Sequence, residues 1–300
     1  MAVSDLVTNM EWYRAFYWTA KAGSLSGAAE HLYITQPAVT HAIKQLESQL
    51  GGQLFFRTSK GVKLTAEGAM LYQHIEQAFN LIHAGERRLA ERHALTEGEM
   101  RIGAGDTLCK HYLLPRMRQF HEQYPGVQFQ VTNRTSRETV KLLKEGAIDF
   151  GIVNLPLEDP KLLIQESMIV QDCFVVSGTY RKWVAAGQPL SLDWEELSHY
   201  ELLLLEKGSA TRAYIDKAAA ANDVALTPSM ELGSLDLLSE FAQTGFGIAC
   251  VVRNFAQDLL ERGELVELAI APPIPPRRIG IATLKDVPLS IAAKAFIALL

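Results

Sequence analysis

The stretch SLSGAAEHLYITQPAVTHAIKQLE, Ser24 to Glu47, limits what the N-terminal region can fold into more than any other part of the chain. It holds two helical patterns with only a few residues between them. In the first, Leu25, Ala28, Ala29 and Leu32 fall at i, i+3, i+4 and i+7, one face of a helix. Ser24 or Ser26 offers a capping hydroxyl, and the small Ala28–Ala29 pair lets a second helix cross closely. The second pattern opens with Thr35-Gln36-Pro37. Thr35 is the expected N-cap, and Pro37 suits the first turn, where its missing amide hydrogen costs little. Val39, Ile43, Leu46 and Leu50 form the inward face, which leaves Gln36, Thr40, His41 and Lys44 outward. A helix near Met10 to Ala22, with Trp12, Phe16 and Thr19–Ala20 inward, completes a three-helix core.

After Gly51–Gly52 the pattern changes. LFFRTSKGVKLT reads as two short strands around Ser59-Lys60-Gly61, with Arg57, Lys60 and Lys63 and no acid among them. A helix pair followed by a basic hairpin is a winged helix-turn-helix, in which the second helix enters the major groove by its N-terminal end. Small polar residues there reach base edges without pushing the backbone away. Gln pairs bidentately with adenine, and Thr bonds a base or touches a thymine methyl. The hairpin cations would hold phosphates or enter the minor groove. Taken singly, a histidine such as His41 is more often a solvated surface residue than a base reader.

Charge supports that placement. The chain carries a formal net charge of -5, yet residues 1–65 hold six Lys/Arg against four Asp/Glu. Local positive charge matters more to phosphate binding than the total. The other bulk features exclude alternatives. Cys109, Cys173 and Cys250 are an odd, scattered set with no C-x-x-C pair, so neither a disulfide framework nor a zinc cage is expected, and reduced thiols in a cytoplasm are. No signal peptide or membrane span is visible, and no metal or cofactor motif is found. Gly103-x-Gly105 lacks the third glycine of a dinucleotide fingerprint. Asp149-Phe150-Gly151 lacks the partner motifs of a kinase and reads as a strand end.

From Glu67 to about Ala94 an apolar stripe of Ile75, Ala78–Phe79, Ile82 and Leu89 marks a long helix, ended by Thr96-Glu97-Gly98. It either lies on its own domain or pairs with a second copy. Pairing is favoured, because a palindromic DNA site needs two heads held about 34 Å apart. Beyond it, strands alternate with helices: MRIGAG, a helix over Leu113–Tyr124, VQFQVTN, a helix over Ser136–Gly146, and IDFGIV. That alternation predicts a parallel sheet with helices on both faces. A crossing near Leu162 to Val170 leads to a second such unit, and Glu264–Ile270 and Ile279–Thr283 are expected to return to the first. Two α/β lobes joined by two crossings enclose a cleft, with ligand sites at strand ends and helix starts. The expected division is residues 1–66 for the winged helix-turn-helix, 67–97 for the linker helix and 98–300 for the two-lobed domain. Lobe I would span about 98–163 and 267–300, and lobe II about 164–266.

The run AAEHLYITQPAVTHAIKQLESQLGGQLFFRTSKGVKLTAEG resembles the DNA-binding domain of LysR-type transcriptional regulators. RIGAGDTLCKHYLLP, KLLKEGAIDFGIV, EKGSATR and TGFGIAC resemble their effector-binding domain, whose fold is similar to that of periplasmic solute-binding proteins. The fold class implied is an α+β multidomain chain: an N-terminal all-α winged helix-turn-helix, a long linker helix and a C-terminal two-lobed α/β domain. The resemblance implies DNA contacts by Gln36, Pro37, Thr40, His41, Lys44 and Arg57, to which Thr35, Lys60 and Lys63 are added from the residue reading. It implies an effector pocket of Asp106, Thr107, Arg134, Thr135, Asn154, Ser209, Thr211 and Ser234. Helix starts suit an anion, often a carboxylate. Asp106 stands where a hydroxyl is usual and would repel one, which admits an amino-acid-like ligand. Cys109 stands where glycine is common and leaves a redox role open. Arg212 would hold a ligand carboxylate or brace its own loop. Expected partners are double-stranded promoter DNA, a small-molecule effector, the chain itself as homodimer or homotetramer, and RNA polymerase. The competing reading is a cytoplasmic small-molecule binder or enzyme whose front helices mediate protein contacts only; no catalytic constellation supports the enzyme.

Overall fold

The computed structural model describes residues 9–58, 61–90, 98–179 and 191–300, and the side chains of 87–90 fall outside that description. The chain divides into two compact units between Glu86 and Arg87. Among the described residues no helix is long and apolar enough to cross a membrane.

The first unit packs α1 (Met10–Ala22), α2 (Leu25–Leu32) and α3 (Gln36–Leu50) around Phe16, Ala28, Val39, Ile43 and Leu46. Phe16 and Thr19 are fully buried, whereas Trp12 and Ala20 are only partly so. Ser24 caps α2, its hydroxyl accepting from the Gly27 amide at 3.1 Å. Leu50 departs from its expected burial. It ends α3 just before Gly51 turns the chain in a left-handed conformation, and 46% of it stays exposed.

Strands β1 (Phe55–Thr58) and β2 (Gly61–Leu64) form the antiparallel hairpin; the Ser59–Lys60 tip lies outside the described residues. Three sets of bonds fix its position. Val62 donates its amide to the Gly23 carbonyl at 2.9 Å. Glu47 on α3 accepts from the Leu54 amide at 2.8 Å. The Thr65 hydroxyl donates to the Gln53 carbonyl at 2.8 Å and accepts from the Gly68 amide at 2.9 Å, so one side chain closes the hairpin and caps α4. Gly61 has φ +134°, and a Cβ there would stand 2.3 Å from the Gly23 carbonyl oxygen. Helix α4 (Ala66–Ala90) follows, and Tyr17 of α1 stacks on its Tyr72 at 5.7 Å. The expected end of this helix, Glu91 to Glu97, lies outside the described residues. On its described length Leu81 and Ile82 remain exposed.

The second unit contains two sheets. Lobe I is ordered β4 (Val127–Asn133), β3 (Gly98–Ala104), β5 (Phe150–Asn154), β13 (Arg277–Leu284), β6 (Leu162–Val170). Lobe II is ordered β10 (Met230–Leu232), β9 (Leu202–Leu205), β11 (Ile248–Val252), β7 (Asp172–Ser177), β12 (Leu265–Ala271), β8 (Ser191–Asp193). Both are mixed, not parallel throughout. β3, β4 and β5 pair in parallel, as do β9, β10 and β11, but β13 and β7 run antiparallel to β5 and β11. The exceptions are the strands that enter from the other lobe, and no helical crossover constrains their direction. Asp149-Phe150-Gly151 stands at the start of β5 rather than at the end of a strand. Phe150 is buried, and Gly151 lets α7 (Ser136–Lys144) lie close, since a Cβ would stand 2.3 Å from Thr139 Cγ2.

Sheet pairing moves both expected lobe boundaries. β6 pairs along its length with β13, so it belongs to lobe I and the first crossing falls after Val170 rather than near 163. β12 pairs with β7 and β8, so it stays in lobe II and the second crossing falls after Ala271 rather than near 267. An apolar strand carries no mark of which sheet it joins; long-range pairing decides that.

The two crossings meet at a buried ion pair. Arg277 on β13 holds Asp172 at the start of β7 in bidentate fashion, with Nη2 donating to Oδ1 at 2.9 Å and Nε to Oδ2. The side chains are 4% and 0% exposed. Arg277 Nη1 also donates to Asn154 Oδ1. The prolines of the second crossing are tied to lobe II, with Trp194 Nε1, at the start of α8 (Trp194–Ser198), donating to the Pro272 carbonyl at 2.9 Å and Tyr214 to that of Pro275 at 3.1 Å.

Two stability changes are expected. Gly61→Ala forces a side chain into a left-handed position against backbone and should cost about 1–3 kcal/mol in urea denaturation. Asp172→Ala leaves a buried guanidinium unpaired and should cost about 3–5 kcal/mol, with the Asp172→Leu, Arg277→Met double variant recovering part of the loss.

Candidate nucleic-acid interface and ligand cleft

Helix α3 separates two roles by face. Val39, Ile43 and Leu46 are buried, while Thr35, Gln36, Pro37, His41 and Lys44 are exposed and Thr40 is partly so. Gln36, Pro37, Thr40, His41, Lys44 and Gln45 line one shallow concavity of about 550 Å³. Two details differ from expectation. Thr35 occupies the N-cap position, but its side chain makes no capping bond. The Thr40 hydroxyl donates to the Gln36 carbonyl at 3.0 Å. Its proton is therefore committed to its own helix, which leaves Thr40 an acceptor lone pair and a methyl group for a base.

The hairpin extends this surface. A groove of about 400 Å³ is lined from α3 by Thr40, Lys44 and Glu47 and from the hairpin by Phe56, Arg57 and Val62. Arg57 is thus brought beside Lys44. Lys63, opposite Phe56 in the hairpin register, is exposed but does not line the groove. Lys60 lies outside the described residues. The residue reading missed Tyr33, which starts the α2–α3 turn in a left-handed conformation with φ 55° and is 95% exposed. It also missed the exposed Phe56. Neither breaks a periodicity that would have marked it.

In the second unit a cleft of about 580 Å³ opens between the lobes. Seven of the eight expected pocket residues line it: Asp106, Thr107, Arg134, Thr135, Asn154, Ser209 and Thr211. Ser234 stands at its edge, its hydroxyl donating to Asp106 Oδ2 at 3.1 Å. Several helix starts converge here. Thr135 and Glu138 form a reciprocal capping box on α7, and the hydrogen bonds from Thr135 hold the Glu138 carboxyl below its usual range. Ser209 caps α9 (Ala210–Ala220), accepting from the Arg212 amide at 3.3 Å. Asn154 meets Ser136, its amide donating to the Ser136 hydroxyl at 3.0 Å. Also from lobe I, α5 (Asp106–Leu108) runs through a π-helical turn (Cys109–Leu113) into α6 (Leu114–Gln123), so the helix begins before its expected start at Leu113.

Two open alternatives close. Arg212 is buried and braces its own surroundings, donating to Asp216 at 2.9 Å, the Leu205 carbonyl at 2.8 Å and Glu231 at 2.9 Å. It does not line the cleft. Burial, aided by Asp106, pushes the Cys109 thiol up to about 11, which favours the neutral thiol over the reactive thiolate. Burial likewise raises Cys173 and Cys250. Among the described residues no His/Cys/Asp/Glu group is arranged to hold a metal. The lining residues not foreseen include the polar Asn133, Ser136, Glu138, Glu206 and Lys207, beside their predicted neighbours, and more distant ones: Arg277 and an apolar set with Val170, Leu205, Val252, Phe255 and Ile279. The distant ones come from strands and a helix far apart in sequence, and nothing local marks them.

Comparison with known proteins adds to this geometry. Residues 10–69 match the family model described as bacterial regulatory helix-turn-helix protein, lysR family, and residues 93–300 match the LysR substrate binding domain. The chain is similar to an uncharacterized HTH-type transcriptional regulator, YfeR, of Shigella flexneri, 28% identical over 96% of this chain and 91% of the relative. It is also similar to the HTH-type transcriptional regulator GltR of Bacillus subtilis (strain 168), at 24% identity over 86% of this chain and 84% of the relative. Among solved structures, a full-length OxyR variant from Pseudomonas aeruginosa shares the fold, with a TM-score of 0.70 and 22% identity over 97% of this chain and 94% of that one. Full-length CbnR complexed with its target DNA does so at a TM-score of 0.66 and 20% identity, over 97% and 98% of the two chains. With both family models matched in order along its length, the chain belongs to the LysR family of helix-turn-helix transcriptional regulators.

Proposed function

We propose that this regulator reads promoter DNA through Thr35, Gln36, Pro37, Thr40, His41 and Lys44, while Arg57, Lys60 and Lys63 anchor the flanking phosphates. The family is one of transcriptional regulators and not of enzymes. The observation that carries the assignment is the division of α3, with an apolar face sealed in the core and the N-terminal polar residues left in water beside Arg57. Gln36 has the reach and the paired donor and acceptor to read an adenine edge. Thr40 contributes its methyl group and one acceptor.

A small-molecule effector, a carboxylate or an amino-acid-like metabolite, occupies the cleft lined by Asp106, Thr107, Arg134, Thr135, Asn154, Ser209 and Thr211, with Ser234 at its edge. Its volume of about 580 Å³ lies within the range of small-ligand sites. The effector acts by its differential affinity for two arrangements of the lobes. The expected domain division, 1–66, 67–97 and 98–300, serves this mechanism. The exposed Leu81 and Ile82 of α4 support its role as the pairing surface of a homodimer or homotetramer. Such a protein works in the cytoplasm, where RNA polymerase is a further partner.

Electrophoretic mobility shift across a salt series tests the DNA assignment. Gln36→Ala should cost about 1–3 kcal/mol on the specific site and little on random DNA; equal loss on both removes it as a base reader. Arg57→Ala should weaken binding to every sequence and lower the salt slope by about 1. An unchanged slope takes it off the phosphate surface.

A further inference from the structure

Asp106 occupies an unusual electrostatic position. Its carboxylate sits at the start of α5 on the cleft wall, and both oxygens are engaged by neutral donors. Asn133 Nδ2 donates to Oδ1 and the Ser234 hydroxyl to Oδ2, each at 3.1 Å. Among the described residues no Lys, Arg or His forms an ion pair with it. The two other cleft carboxylates differ. Glu138 is absorbed by its capping box. Glu206 comes from lobe II and lies by the same turn, its Oε1 3.7 Å from where a Cβ on Gly233 would stand. Arg277, the buried cation of the cleft, is neutralised by Asp172.

Ser234 shows that the Asp106 contact has an alternative. It occupies the N-cap of α10 (Leu235–Gln243), yet its side chain makes no capping bond there, because its hydroxyl is turned across the cleft to Asp106. Release from Asp106 would return it to the unpaired amides of α10, which favours the exchange. A group that binds Asp106 more strongly than a hydroxyl does can take that place, and an ammonium does, through a charge-assisted hydrogen bond. The cleft floor of Val170, Leu205, Val252, Phe255 and Ile279 asks for an apolar body.

Resting on the reading of this cleft as the effector site, we infer that the effector joins a protonated amine to an apolar body, with Asp106 receiving the amine in exchange for Ser234. Arg134 and Lys207 also line the cleft and can take a carboxylate, so an α-amino acid with an apolar side chain places its ammonium on Asp106 and its carboxylate within reach of a cation. An acid of the same shape without the amine brings no countercharge to Asp106, which keeps only its neutral donors Asn133 and Ser234.

The test pairs each amine with its deaminated counterpart on the full chain: L-leucine with 4-methyl-2-oxopentanoate, and L-phenylalanine with phenylpyruvate, by thermal shift and calorimetry. The amine of at least one pair should bind roughly tenfold more tightly or better, and Asp106→Asn and Asp106→Ser, each checked for folding by circular dichroism, should erase that preference. The inference is overturned if the deaminated acids bind as well, if neither amine binds, or if both variants keep the preference. Lys207→Trp, an exposed change that fills the cleft, separates the two levels. Acid binding that it abolishes sinks the amine and keeps the cleft; binding that it leaves untouched sinks the cleft itself.

Discussion

The two-lobed unit depends on the buried pair of Arg277 and Asp172. A guanidinium and a carboxylate removed from water are tolerated only together, and here they come from different lobes at the points where the chain crosses. Neither lobe can shift at the crossings without exposing or unpairing a charge. The bond from Arg277 to Asn154 extends this constraint to the end of β5 and so to the cleft floor. The cleft is shaped where the hinge is pinned, which is the arrangement a ligand-sensing fold needs. At its outer edge weaker contacts bridge the lobes: Asp106 with Ser234, and Lys110 and His111 with Asp236, each pair at about 3 Å. These partly exposed contacts are the ones a ligand can exchange at low cost.

The first unit solves a different problem. One helix must be held rigidly by half of its surface while the other half stays free for a partner. Val39, Ile43 and Leu46 supply the hold, and the Glu47 bond to Leu54 ties the same helix to the hairpin. The hairpin is fixed at its other end by Val62 on Gly23. Arg57 is therefore set at a definite place relative to Lys44 and Thr40 by backbone contacts, even though its own side chain is exposed. Under the proposed assignment, polar and cationic groups held in a common frame give register as well as affinity.

Much of this was legible before any coordinates. Periodicity located α1, α2 and α3, because a helix that buries one face must repeat apolar residues every three or four positions, and Ser24 and Pro37 marked the helix starts. Thr135, Ser209 and Ser234 came from the family resemblance; each stands at a helix start, and only Thr135 and Ser209 line the cleft. Leu50 shows the limit of periodicity, which continues past the point where the core ends. Thr40 shows another, since its choice between a base and its own helix is made by local geometry.

The sequence by itself determined the local elements, the segregation of positive charge toward the hairpin and the polar tip of α3, because these follow from spacing within a few turns of chain. Only the tertiary structure decided which sheet β6 and β12 join, that Arg212 braces its loop, and that Asp172 and Arg277 meet between the lobes. The strand pairings and the Asp172–Arg277 contact join residues far apart in the chain, and Arg212 adds Glu231 on a later strand to its nearer partners. An apolar strand or a lone charge carries no local signal of the residue it will meet, and burial selects that partner only when the whole domain has closed.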